Sequence, residues 1–173
     1  AILGFLSMLY AIPFLPKAKN LRSLGGMKVF LVALVWAGCT ALLPLLENGK
    51  LIHPAHSILV VQRFLLVLLL LIPFEIRDLK YDAAALKTFP QRLGVPKTKW
   101  VGYGLLLLYV LLELLESNHS RAAILPTLIL VLLLFFAIKH ASVDAPKYYA
   151  SFWVEGIPML YFGLSVLLGK GFI

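Results

Sequence analysis

The sequence predicts an all-α fold: a polytopic transmembrane helical bundle that forms a single transmembrane domain over residues 1–173. Composition is the first observation, since 61% of the residues are hydrophobic and only 14% are charged, whereas soluble domains carry about a quarter charged residues. The second is a series of six apolar runs of near-membrane length. Because lipid requires each backbone group to bond within its own segment, these runs favour helices.

The six apolar runs follow one another with short polar interruptions. They cover residues 1–15, 29–46, 57–74, 101–115, 122–138 and 150–168. A full span needs about 20 mostly apolar residues, so we expect each helix to include some of its polar flanks. The first run has no methionine and no charged segment before it, which is not the pattern of a signal peptide. We expect it to be the end of a membrane helix in an N-terminally incomplete chain.

Small residues in the second run predict close packing of that helix against a neighbour. They are Ala33, Ala37, Gly38, Cys39, Thr40 and Ala41. We interpret Cys39, the single cysteine, as a packing residue, because no obvious base lies near it in the sequence.

The basic residues predict the orientation of the bundle. Of the 16 Lys and Arg residues, twelve fall in residues 13–28, 77–100 and 139–148. Lys50, Arg121 and Lys170 fall on the other side, and Arg63 lies within the third run. By the positive-inside rule the basic loops are cytoplasmic. The net charge of +8 is therefore a topology signal, and we expect membrane lipid as a partner and no nucleic acid.

Three carboxylates, Glu75, Asp78 and Asp82, follow the third apolar run. If the helix continues one or two turns past this run, they share one face within about 60° of arc. Oxygen ligands suit Mg²⁺, which is commonly shared between one or two carboxylates and a substrate phosphate. The alternative is a solvated helix end whose acids balance Arg77 and Lys80.

A longer segment around these acids resembles a known family motif. The acids and the following Lys87–Gly94, KTFPQRLG, are similar to the second aspartate-rich motif of UbiA-type intramembrane prenyltransferases. The stretch LYAIPFLPKAKNLRSLGG resembles the family's tyrosine, proline and basic residues between its fourth and fifth helices. This resemblance implies that the six runs are helices four to nine of a nine-helix fold.

The resemblance also implies a function, namely Mg²⁺-dependent transfer of a prenyl group from a polyprenyl diphosphate to an acceptor small molecule, often aromatic. We expect a multi-pass protein of a bacterial cytoplasmic membrane, with its site on the cytoplasmic face. The implied catalytic and metal-binding residues are Asp78 and Asp82, with Glu75 in place of the leading aspartate; the implied diphosphate-binding residues are Tyr10, Lys17 and Arg22. The family's first aspartate-rich motif has no counterpart in this sequence, so we expect this chain alone to be inactive.

Two other functions stay open. One is a catalytically inactive membrane scaffold that retains the prenyltransferase fold. The other is a small transporter bundle, for which the intramembrane residues Arg63 and Glu155 would be the evidence. We interpret Arg63 as a side chain that extends to the outer headgroups. Glu113 and Glu116 are interpreted as a solvated outer boundary, and Glu155 as a residue that either faces a substrate cavity or has a packing or interfacial role.

Overall fold

The computed structural model describes residues 26–47, 54–82, 86–115, 121–146 and 148–168, which form helices and turns without any strand. Five helices follow one another within these residues. They are α1 (Met27–Glu47), α2 (Pro54–Asp78), α3 (Phe89–Leu115), α4 (Arg121–His140) and α5 (Tyr149–Leu167). The described part of the chain is therefore all-helical, as the sequence predicts.

Four of these helices are long and apolar enough to cross a membrane: α1, α3, α5 and the part of α2 from His56 to Asp78. The apolar part of α4, Ile124–His140, is shorter. These helices indicate a membrane-embedded protein. The first predicted span, residues 1–15, lies outside the described residues.

The largest difference from the sequence prediction is the start of α3, which begins at Phe89 rather than near residue 101. The prediction of a basic loop over residues 77–100 is wrong for residues 89–100, which are helical, and a local hydrogen bond lies at the start of this helix. Gln91 Oε1 accepts a hydrogen bond of 3.0 Å from the backbone N–H of Thr88, which satisfies a donor at the helix start as in a capping box.

A break at Gly94 divides α3 into a short first segment and a long second one. Gly94 has φ 78° and ψ 160°, a backbone conformation that is essentially restricted to glycine. Pro96 follows in the first turn after the break, where its missing N–H costs no helical hydrogen bond. Thr98, in the following turn, donates from Oγ1 to the Gly94 carbonyl at 2.9 Å. This hydrogen bond stabilises the break.

Helix α2 lies at the centre of the bundle and contacts α1, α3, α4 and the first turns of α5. Its core side chains meet those of α4, as with Leu69 and Ile76 on α2 and Leu134 and Ile138 on α4, all of which are fully buried. Gly102 on α3 permits close approach, because a Cβ there would lie 3.0 Å from Ile72 Cδ1. Small residues at helix contacts of this kind bring membrane helices together.

The small residues of α1 are confirmed as packing residues only in part. Ala33, Ala37, Gly38 and Ala41 are buried, whereas Thr40 is exposed, and α1 packs against α2. Cys39 is exposed, so its interpretation as a packing residue is wrong. It lies in a π-helical segment, Gly38–Leu42, whose turn is wider than that of an α-helix.

Candidate functional site

Glu75 lies in the last turn of α2 and is 4% exposed. Lys28, in the first turn of α1, places its Nζ 3.0 Å from Glu75 Oε1. A buried carboxylate is costly unless it is paired, and this ion pair supplies the compensating charge. Glu75 Oε2 is also buried but has no hydrogen-bond partner. One oxygen of Glu75 is thus paired, while the other is available to a ligand.

Asp78 pairs with its neighbour Arg77. Asp78 Oδ1 accepts from Arg77 Nε at 2.8 Å and lies 2.7 Å from Arg77 Nη2. The same guanidinium donates from Nη1 to Ser151 Oγ on α5 at 3.0 Å and lies 5.1 Å from the centre of the Phe74 ring. Arg77 therefore fixes the Asp78 carboxylate and links the end of α2 to α5.

Asp82 does not continue the helix face of the other two acids. Helix α2 ends at Asp78, so the condition for a shared helix face, that the helix continues past its apolar run, holds for Glu75 and Asp78 and does not hold for Asp82. The turn is held by the backbone N–H of Asp82, which donates to the Asp78 carbonyl at 2.8 Å. Gln91 Nε2 donates to the Asp82 carbonyl at 3.3 Å. These bonds hold Asp82 between the end of α2 and the start of α3.

The carboxylates of this region supply oxygen atoms, the ligand type that hard cations prefer. Among the described residues, no group of three or more His, Cys, Asp or Glu side chains is arranged to hold a metal. Glu75 Oε2, Asp82 Oδ2 and Thr88 Oγ1 are buried without hydrogen-bond partners. Buried oxygens without partners are uncommon and point to a missing ligand, water or ion. Mg²⁺ takes one or two protein carboxylates and keeps several waters, which matches Glu75 and Asp82.

An apolar cavity of about 90 Å³ lies beside Glu75, between α1, α2 and α3. Its walls include Val29, Leu68, Ile72 and Leu105, and Glu75 is the charged side chain among its described lining residues. This inner cavity therefore has an apolar interior with a carboxylate on its wall. That combination suits a ligand with an apolar tail and a head that binds a metal or a cation.

A second cavity, of about 360 Å³, lies between the starts of α1 and α3. Arg92 is the charged side chain among its described lining residues. Phe30 and Phe89 line both this outer cavity and the inner one. The cavity that Arg92 lines is therefore adjacent to the cavity that Glu75 lines.

The remaining predicted site residues, Tyr10, Lys17 and Arg22, lie outside the described residues. Lys28, which the sequence analysis counted only as a topology signal, is the direct partner of Glu75. Lys28 stands at the edge of the second apolar run, so the sequence indicates that it lies at a helix end. Nothing in the spacing of residues links it to Glu75.

A second polar cluster was also missed. Glu113 accepts from Gln62 Nε2 at 2.9 Å and from Thr127 Oγ1 at 3.2 Å, which links α2, α3 and α4. The interpretation of Glu113 as a solvated boundary residue is therefore wrong. Gln62 is a polar residue within an apolar run, and this feature of the sequence could have indicated a polar contact between helices.

Comparison with known proteins found no relative: no family model, no curated protein and no solved structure matches this chain. Its function is therefore inferred from Glu75, Asp78 and Asp82, and from the cavities beside them.

Proposed function

We propose that this chain acts in Mg²⁺-dependent prenyl transfer of the UbiA type, from a polyprenyl diphosphate to an acceptor small molecule that is often aromatic. The observation that carries the proposal is the inner cavity, whose described lining is apolar apart from Thr98 and the carboxylate of Glu75. Glu75 and Asp78 lie in the last turn of α2, and Asp82 follows in the turn that ends the helix. A polyprenyl diphosphate has the matching parts, an apolar tail and an anionic head that binds divalent metal.

Some residues of the site would bind the diphosphate head of such a donor, and others would surround its apolar tail. Glu75 and Asp82, with Asp78 beside them, would hold Mg²⁺ through carboxylate oxygens. Bound Mg²⁺ would stabilise the negative charge that grows on the departing diphosphate. The apolar walls exclude water from the carbon that loses the diphosphate. Tyr10, Lys17 and Arg22 stay predicted diphosphate ligands.

The proposed architecture is helices four to nine of a nine-helix bundle, crossing the membrane six times, with its site on the cytoplasmic face of a bacterial cytoplasmic membrane. Two contacts support this orientation. Lys28 at the start of α1 pairs with Glu75 near the end of α2, and Lys99, shortly after the Gly94 break of α3, donates to the Lys139 carbonyl near the end of α4 at 2.7 Å. Basic residues thus gather where these helices start and end, as the positive-inside rule requires of a cytoplasmic end.

The test is turnover by the protein with its natural flanking sequence, reconstituted in lipid with labelled polyprenyl diphosphates and aromatic acceptors. Asp78→Asn and Asp82→Asn should each lower Mg²⁺-dependent turnover by about 100-fold or more, because charge stabilisation of the leaving group is lost. Asp144→Asn is the matched control, since Asp144 is exposed in the turn between α4 and α5. Full turnover in either site variant would refute its metal role.

A catalytically inactive scaffold is the second candidate, and the two ion pairs favour it. Lys28 already compensates Glu75, and Arg77 already compensates Asp78, which weakens the attraction of these acids for a divalent cation. Mn²⁺ binding, followed by electron paramagnetic resonance, separates the two functions. A prenyltransferase should bind Mn²⁺ and lose this binding in Asp82→Asn, whereas a scaffold should show none. The transporter has less support, because Glu155 is exposed on α5.

A further inference from the structure

We propose that Phe30 and Phe89 form a gate that sets the length of prenyl tail this site accepts. The inference rests on the proposed function and deepens it by naming the donor class: short-tailed diphosphates in preference to long-tailed ones. The two ring centres are 5.6 Å apart with 57° between their planes, a tilted packing of the kind that aromatic pairs favour.

The position of the ring pair between the two cavities is the first step of the argument. Among the described lining residues, Phe30 and Phe89 are shared by the inner cavity of about 90 Å³ and the outer cavity of about 360 Å³. The rings therefore form a common wall. Separation of the rings would join the two cavities into one continuous space.

The size of the inner cavity is the second step. A dry apolar cavity of about 150 Å³ holds one benzene molecule, so the inner cavity of about 90 Å³ has room for at most one five-carbon unit. Further units must pass the ring pair into the outer cavity. That cavity opens to the surface of the bundle, because Met27, Phe30 and Leu93 on its wall are exposed.

The two rings differ in how firmly they are held. Phe89 follows the Thr88–Gln91 hydrogen bond at the start of α3, and its ring lies against Gly26, where a Cβ would be 3.2 Å from Phe89 Cδ2. Phe30 on α1 is 41% exposed, so its ring has open space on one side. Exposed side chains change rotamer rapidly. Phe30 is therefore the moving half of the gate, and Phe89 is the fixed half.

The experiment compares wild type, Phe30→Ala and Phe135→Ala in the protein with its natural flanking sequence. Binding of geranyl, farnesyl and geranylgeranyl diphosphate is measured by calorimetry, and product formation is measured in parallel. Phe30→Ala should raise the affinity for geranylgeranyl diphosphate relative to geranyl diphosphate by about tenfold. Phe135→Ala should leave this ratio unchanged, because Phe135 is 38% exposed on α4 and lines neither cavity.

Gly26→Ala is the second test variant and acts on the other ring. Its methyl group would lie 3.2 Å from Phe89 Cδ2, so the Phe89 ring must shift, and the ratio of geranylgeranyl diphosphate to geranyl diphosphate binding should change. An unchanged ratio in both Phe30→Ala and Gly26→Ala would overturn the gate, as would a wild-type protein that binds none of the three diphosphates. A shifted binding ratio without product in any variant would support the gate and contradict the proposed transfer.

Discussion

Lys28 Nζ on α1 lies 3.0 Å from Glu75 Oε1 on α2. The lysine side chain is 25% exposed and the glutamate side chain is 6% exposed, so the pair joins a partly solvated cation to a buried anion. It lies beside the inner cavity, which Glu75 lines. The carboxylate is thus compensated by the protein itself, and a ligand that binds there must share Glu75 with Lys28.

The first prediction concerns this ion pair. Lys28→Met should lower the free energy of unfolding by about 3 kcal/mol, because removing one partner leaves a buried charge uncompensated. The double variant Lys28→Met/Glu75→Gln should recover a large part of that loss. Unfolding in mixed micelles measures both values, and Lys97→Met, at an exposed position on α3, is the control for loss of one positive charge. Equal stability of Lys28→Met and Lys97→Met would show that the pair contributes nothing.

The second prediction concerns the break in α3. Gly94→Ala should lower the free energy of unfolding by about 1–3 kcal/mol, because alanine is strained at φ 78° and ψ 160°. Gly104→Ala is the matched control on the same helix, since a Cβ there meets nothing within 4 Å. That control should be neutral or stabilising by up to about 1 kcal/mol. Thermal denaturation of the two variants decides the sign of each effect.

The third prediction concerns the close approach of α2, α3 and α4 at Gly102. Gly102→Val should destabilise the bundle by about 1–3 kcal/mol, because its Cβ would lie 3.0 Å from Ile72 Cδ1 and 3.2 Å from Ile138 Cδ1. Gly163→Val on α5 should have a much smaller effect, because open space surrounds a Cβ at that position. The two melting temperatures test this contrast, and similar losses in both variants would mean that helix propensity outweighs packing.

The fourth prediction concerns the polar cluster on Glu113. Gln62→Leu should lower the free energy of unfolding by about 1 kcal/mol, the range measured for hydrogen bonds between membrane helices. Thr40→Val is the control, because the Thr40 hydroxyl donates to the Trp36 carbonyl of its own helix at 2.7 Å. A double-variant cycle of Gln62→Leu with Glu113→Gln should reveal coupling between the two sites. Strict additivity would rule out the contact as a stabilising one.

The helices were largely predictable where apolar composition alone decides them. The second run, residues 29–46, corresponds to α1 at Met27–Glu47, and the last run, residues 150–168, corresponds to α5 at Tyr149–Leu167. The early start of α3 was not predictable from hydropathy, because residues 89–100 are helical although they do not form an apolar run. The hydrogen bond at the start of this helix joins Thr88 to Gln91, three residues later. A count of apolar residues does not detect a pair of polar residues at this spacing.

The candidate site was predictable only as a set of acids. The positions of Glu75 and Asp78 in the last turn of α2 follow from the extension of the helix past its apolar run. The position of Asp82 does not, because the helix ends at Asp78 and a turn carries the chain towards Gln91. A helical wheel places residues correctly only as far as the helix continues.

The sequence by itself determined the helical class, the apolar segments and the placement of acids and bases at their ends. An apolar segment in lipid must bond its own backbone groups, so its structure is a local property. Only the tertiary structure decided that Glu75 pairs with Lys28, that Arg77 contacts Ser151 and that Phe30 meets Phe89. Each of these contacts joins two helices, and the side chains that meet are fixed by how the helices pack and rotate against one another, which no single segment specifies.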